Sequence, residues 1–198
     1  MHVVFLAGGI ASGKSTVARE LERRGAWRID LDALSRDVCL PGSDVLAELA
    51  QAFGLDVLDA RTGELNRGLL AQRAFASAEK TTELESIMHP AIFAELARRL
   101  ATPQDADVCV VEVPLLDRAL AAGVMPDEVV CVTCPTEVRR VRAVGRGMDA
   151  ADFDRRDAQQ PSQDYLRSHA DTELHNDGDA EDLLAQVDAW WQSTTKGH

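Results

Sequence analysis

Val3-Val4-Phe5-Leu6-Ala7-Gly8-Gly9-Ile10-Ala11-Ser12-Gly13-Lys14-Ser15-Thr16-Val17-Ala18-Arg19-Glu20-Leu21 is the stretch that decides the fold. A short apolar run, Val3–Ala7, breaks into a glycine-rich turn, and helical spacing follows from Thr16 to Arg24. Gly8 to Thr16 satisfies G-x-x-x-x-G-K-[ST], the pattern of a phosphate-binding loop. Glycines let successive backbone N–H groups turn inward around a phosphate, and the helix that begins at Gly13 adds the positive end of its dipole. The reading gives Gly8, Gly9, Ala11, Ser12, Gly13, Lys14, Ser15 and Thr16 to a nucleotide, with Lys14 on the β- and γ-phosphates and the Ser15 hydroxyl as ligand to Mg²⁺.

Outward from the loop, short apolar runs alternate with helical patterns, which marks an α/β domain with a parallel sheet. The runs are Val3–Ala7, Trp27–Ile29, Val108–Val113 and Val129–Val132, with a weaker fifth candidate near Glu173–Leu174. Helical periodicity appears over Thr16–Arg24, Asp44–Phe53, Gly68–Phe75, Thr82–Leu100, Glu137–Arg146 and Ala180–Trp191. The expected fold is a P-loop NTPase-type parallel five-stranded sheet flanked by helices. Almost eighty residues separate the second and third runs, far more than one crossover needs, so a helical substrate-binding insertion is expected there.

The 198 residues carry 33 acidic and 21 basic side chains, a formal charge of −12. That balance argues against nucleic acid as a partner, because phosphate neutralisation needs a basic face. The surplus is uneven: Asp149 to Asp188 holds twelve acids against Arg155, Arg156 and Arg167, while residues Met1 to Met148 carry a net charge of only −4. A local positive site for a small polyanion is therefore compatible with the total. No apolar stretch approaches a membrane span, and the N-terminus does not read as a signal peptide, so no membrane partner and a cytoplasmic setting are expected. Cys131 and Cys134 form a C-x-x-C, but inside an apolar run, and are read as small buried thiols.

The GTPase-switch patterns D-x-x-G and N-K-x-D do not occur, which favours a small-molecule kinase. Asp30 and Asp32 follow the second run on one face of an extended segment, aimed at the carboxyl edge of the sheet where ligands of open α/β folds bind. A carboxylate there can accept the proton of an attacking hydroxyl, and Asp32 is also placed to cap a following helix. Glu112, at the end of the third run, reads equally as a handler of the Mg²⁺ water shell or a solvated strand end. His89 alone reads as structural. Arg139, Arg142 and Arg146 recur at helical spacing with Arg140 beside them, and such a face either meets an anion or pairs with nearby acids.

Taken in order, these segments resemble the dephospho-CoA kinase family. The phosphate loop is joined by Ile29-Asp30-Leu31-Asp32-Ala33, similar to the family's D-x-D, and by Pro41-Gly42-Ser43, Gly63-Glu64-Leu65-Asn66-Arg67 and His89-Pro90. Val113-Pro114-Leu115-Leu116, Arg142 with Arg146, Gln160 and Asn176-Asp177-Gly178 complete the set. The resemblance implies transfer of the ATP γ-phosphoryl group, with Mg²⁺, to the ribose 3′-hydroxyl of dephospho-CoA; separately, a monomer or weak homo-oligomer is expected. It implies a nucleotide-binding core (1–40, 104–135 and 170–198), a helical CoA-binding domain (41–103) and a helical lid (136–169). On this pattern Asp32 is the general base, Lys14, Arg142 and Arg146 act on the transferred group, Asn176 lies near the adenine, and Arg67, His89, Pro114 and Leu115 join Asp32 on the substrate.

Overall fold

The computed structural model describes residues 1–196; residues 197 and 198, the end of the expected core segment, lie outside the described residues. Five strands form one sheet: β1 (His2–Ala7), β2 (Trp27–Asp30), β3 (Val108–Val113), β4 (Glu128–Thr133) and β5 (Thr172–His175). All neighbours are parallel, in the order β2-β3-β1-β4-β5. Central strands of such a sheet are covered on both faces, which explains continuous apolar runs in place of alternation. All six residues of β3 are buried. The edge strand β5 buries only Leu174, so its apolar signal in the sequence is weak.

The helices are α1 (Lys14–Arg23), α2 (Leu31–Asp37), α3 (Asp44–Phe53), α4 (Arg67–Ala74), α5 (Ala78–Leu100), α6 (Leu116–Ala121), α7 (Thr136–Gly145), α8 (Ala150–Asp157), α9 (Gln163–Ser168) and α10 (Ala180–Lys196). Side-chain caps fix several starts: Ser43 accepts from Leu46 N–H, Asn66 from Leu69, Ser77 from Lys80, and Asp149 from Ala151 and Asp152. No described helix is long and apolar enough to cross a membrane.

The chain divides into two compact units, residues 1–30 with 104 onward, and residues 31–103. In the first, Val4, Leu6, Val110, Val130 and Val132 of the sheet pack with Val17 and Leu21 of α1 and Leu183, Val187 and Trp190 of α10. Residues 136–169 cluster with this unit. In the second, Leu46, Leu49 and Phe53 of α3 meet Val57, Leu70 and Ala74. Residues 31–40, expected with the core, cluster with this second unit from Leu31 onward. An Arg99–Asp37 ion pair of 2.7 Å ties α2 to α5 there.

Candidate active site

β1 ends at Ala7, and the chain turns through Gly8 (φ 152°), Ala11 (φ 59°) and Gly13 (φ 104°) before α1 begins at Lys14. Ala11 is the one non-glycine residue with positive φ among the described residues, a conformation that costs about 1 kcal/mol and persists only where the surroundings impose it. All three glycines are needed for room as well, and a Cβ at Gly8 would lie 2.7 Å from Val132 O. A Cβ at Gly9 would lie 2.7 Å from Arg139 Nη1, and one at Gly13 would collide with the Asn176 amide. Ser12 is fully buried, and its N–H donates to Gly9 O (3.0 Å). Lys14 is half-buried at the start of α1, with Ser15 and Thr16 exposed beside it at the positive end of the helix.

Three distant segments brace this loop. Asn176, just after β5, is buried and donates its amide to Ser12 O (2.6 Å), while its own N–H donates to Thr133 O (2.8 Å). Expected beside the adenine, it holds the loop. Gln160 accepts from Ile10 N–H (2.7 Å), and Arg139 donates to Ile10 O (3.3 Å). Arg142, half-buried on α7, donates to Asn176 O (3.1 Å) and contacts Cys134 Sγ at 3.4 Å. Arg146 is exposed and caps the end of α7. The three arginines expected on one face thus have three environments.

At the carboxyl end of β3, Glu112 is 4% exposed. Its Oε2 accepts from the Ser15 hydroxyl (2.8 Å), and its Oε1 accepts from Arg28 Nε (2.7 Å) and Nη2 (2.5 Å). Arg28 thus gives this buried carboxyl group a two-nitrogen ion pair next to the loop. Asp30 pairs with Glu112 in the sheet register. This corner offers a hydroxyl and carboxylates, hard oxygen donors that fit Mg²⁺, which ordinarily takes few protein ligands and keeps several waters. Pro114 and Leu115 follow, both half-buried.

The other expected residues belong to the second unit. Asp32, exposed, lies in the first turn of α2, two residues beyond the end of β2. Arg67 opens α4, reaches Arg36 O at 3.5 Å and lines an apolar cavity of about 160 Å³ with Cys39, Leu65, Leu70, Leu84 and Met88. His89 is half-buried on α5, its ring tilted against Phe93 at 5.9 Å. Sequence reasoning missed Arg28 and Asp157 as parts of the site. Arg28 sits two residues before Asp30 on the same strand, a period-2 signal that was available. Asp157 has no local signal, because its partner is 18 residues away.

The dephospho-CoA kinase family model matches residues 2–182. A dephospho-CoA kinase of Corynebacterium diphtheriae is 42% identical, with 97% of this chain and 96% of that protein covered. One of Corynebacterium efficiens is 44% identical over 93% of each. A crystal structure, TT1252 from Thermus thermophilus, superposes with a TM-score of 0.80 at 29% identity, covering 97% of both chains. Agreement of this extent takes in the sheet, the loop and the insertion together, and the chain belongs to the dephospho-CoA kinase family.

Proposed function

We propose that this chain transfers the γ-phosphoryl group of ATP to the ribose 3′-hydroxyl of dephospho-CoA, giving CoA and ADP as the last step of coenzyme A synthesis. One observation carries the reading: the family match runs through both the phosphate loop and the whole insertion that would select the acceptor. In the reaction a bond forms between the 3′-oxygen and the γ-phosphorus, the bond to the β–γ bridging oxygen breaks, and the hydroxyl proton passes to a base. Asp32 takes that proton, an assignment supported by its exposed carboxylate just beyond β2. The loop N–H groups and Lys14 bind the phosphates, while Arg142 and Arg146 stabilise charge on the transferred group from the lid. Ser15 would hold Mg²⁺, with Glu112 ordering its water shell. When bound, Mg²⁺ neutralises charge on the β- and γ-oxygens. Asn176 supports the ATP site, and Arg67, His89, Pro114 and Leu115 contact the acceptor.

The test measures ADP release with ATP–Mg²⁺ and, in turn, dephospho-CoA, nucleoside monophosphates, a sugar acid or no acceptor. Turnover with dephospho-CoA alone is expected; turnover with a nucleoside monophosphate and none with dephospho-CoA overturns the reading. Asp32→Asn is expected to bind ADP normally and to lower kcat by roughly 10²–10⁴. If it keeps most of its turnover, the base moves to Asp30 or Glu112.

A further inference from the structure

Of the two readings open for the arginine face, an anion or nearby acids, Arg139 takes the second. Its side chain is 3% exposed, and each of its five N–H donors already has an acceptor. Nε donates to Cys134 O (3.1 Å). Nη1 donates to Ile10 O (3.3 Å) and Asp157 Oδ1 (2.5 Å), and Nη2 to Thr136 Oγ1 (3.0 Å) and Asp157 Oδ2 (3.3 Å). A guanidinium so occupied has no donor left for a phosphate. It instead touches two things at once. One is the loop, where Ile10 O faces Nη1 and Gly9 leaves no room for a Cβ against the same nitrogen. The other is α8, where Asp157 forms a bidentate pair with it and Phe153, one helical turn earlier, sets its ring 5.7 Å from the guanidinium carbon. Ile10 N–H is held by Gln160, three residues beyond Asp157, so both backbone polar groups of Ile10, one in each flanking peptide plane, are bonded by the 136–169 segment.

We propose that Arg139 is a positioning residue whose ion pair with Asp157 ties helix α8 to the phosphate loop, so that nucleotide affinity depends on a pair that never touches the nucleotide. The inference rests on the nucleotide-site reading of the loop. Geometry supplies the link: a loop whose peptide planes are fixed before binding loses less conformational freedom on meeting phosphate. Loss of the pair frees Ile10 and should weaken nucleotide binding more than it alters the chemical step.

The deciding experiment measures ADP affinity by calorimetry, ATP kinetics, and amide hydrogen exchange at Ile10–Ser12 for the full chain and its variants. Asp157→Asn keeps the shape and one acceptor while removing the charge, and should fold where Arg139→Met does not. It is expected to raise Kd for ADP and KM for ATP roughly three- to thirtyfold, with kcat changed far less, and to speed exchange at Ile10. Asp154→Asn removes the same charge from the exposed Arg140 partner on the same helix and should leave all three readouts near wild type. Equal ADP affinity and loop exchange in Asp157→Asn and wild type would sink the proposal while leaving the kinase reading intact. A wild-type chain that binds no ADP overturns both.

Discussion

Cys131 and Cys134 share a C-x-x-C spacing, yet Cys131 lies fully buried in β4, and burial pushes its thiol up to about 12. Cys109, on β3, is pushed to about 12 for the same reason. Burial also raises Cys134, against the opposing pull of Arg142 and Arg139, and Cys39, against Arg67. The thiolate is the reactive form, so four buried thiols shifted upward are poor nucleophiles and poor redox partners near neutral pH. The folded chain should therefore react with none of its thiols on mixing with a disulfide reagent, and with all four after unfolding in urea. One fast native thiol would return chemistry to the C-x-x-C, with Cys134 the first to check.

Among the elements, α5 shows how charge organises the second unit. Glu95 accepts from Arg98 and Arg99, which hold its carboxyl down at about 2 against an ordinary 4.5, and Arg99 continues to Asp37 on α2, the helix that carries Asp32. A carboxyl whose folded pKa is depressed contributes stability above its unfolded value, and that contribution is lost as pH falls through the folded value. The window here runs from about pH 5 down to about pH 2. Arg98 is 67% exposed, so solvent screens much of that stabilisation. Glu95→Gln should lower the urea midpoint near neutral pH, and the gap from wild type should close as pH approaches 2; a constant gap across that range would rule out the ion pairs as its source. The elements themselves were unevenly legible in the sequence. Asp44–Phe53 and Val108–Val113 stand where their periodicity and apolar runs put them, because each has a full buried face. Pro90 lies inside α5, which continues through it to Leu100, and Ser77 caps a start at Ala78, four residues before the apolar spacing shows. The spacing did not show α8, because it buries only Phe153 among charged neighbours, and α9 is only six residues long. The role of Arg139 was hidden for a related reason: periodicity shows which residues share a face, while the acid that claims one of them is a tertiary fact.

Across the molecule, the charge of −12 and a phosphate loop coexist because much of the acid-rich segment is already engaged. Asp152, Asp154, Asp157, Glu173 and Asp188 each pair with an arginine. Asp149 and Asp179 accept from backbone N–H groups at helix starts, and Asp171 accepts from Val129 N–H. Asn176, Gln160 and Arg139 bring three stretches far apart in sequence onto one loop, so a ligand that orders the loop should stabilise the unit that contains them. At a free ADP concentration a hundred times Kd, linkage gives about 2.7 kcal/mol, or roughly 10 °C in the melting of a unit this size. Because the chain forms two units, calorimetry should show that shift in the transition of residues 1–30 with 104 onward. Hydrogen exchange should locate the gain at Gly8–Thr16, at Cys134–Arg142 and around Gln160 and Asn176, with less change over Asp44–Leu100. Protection spread evenly over both units would mean that nucleotide stabilises the chain by some route other than the bracing of its loop.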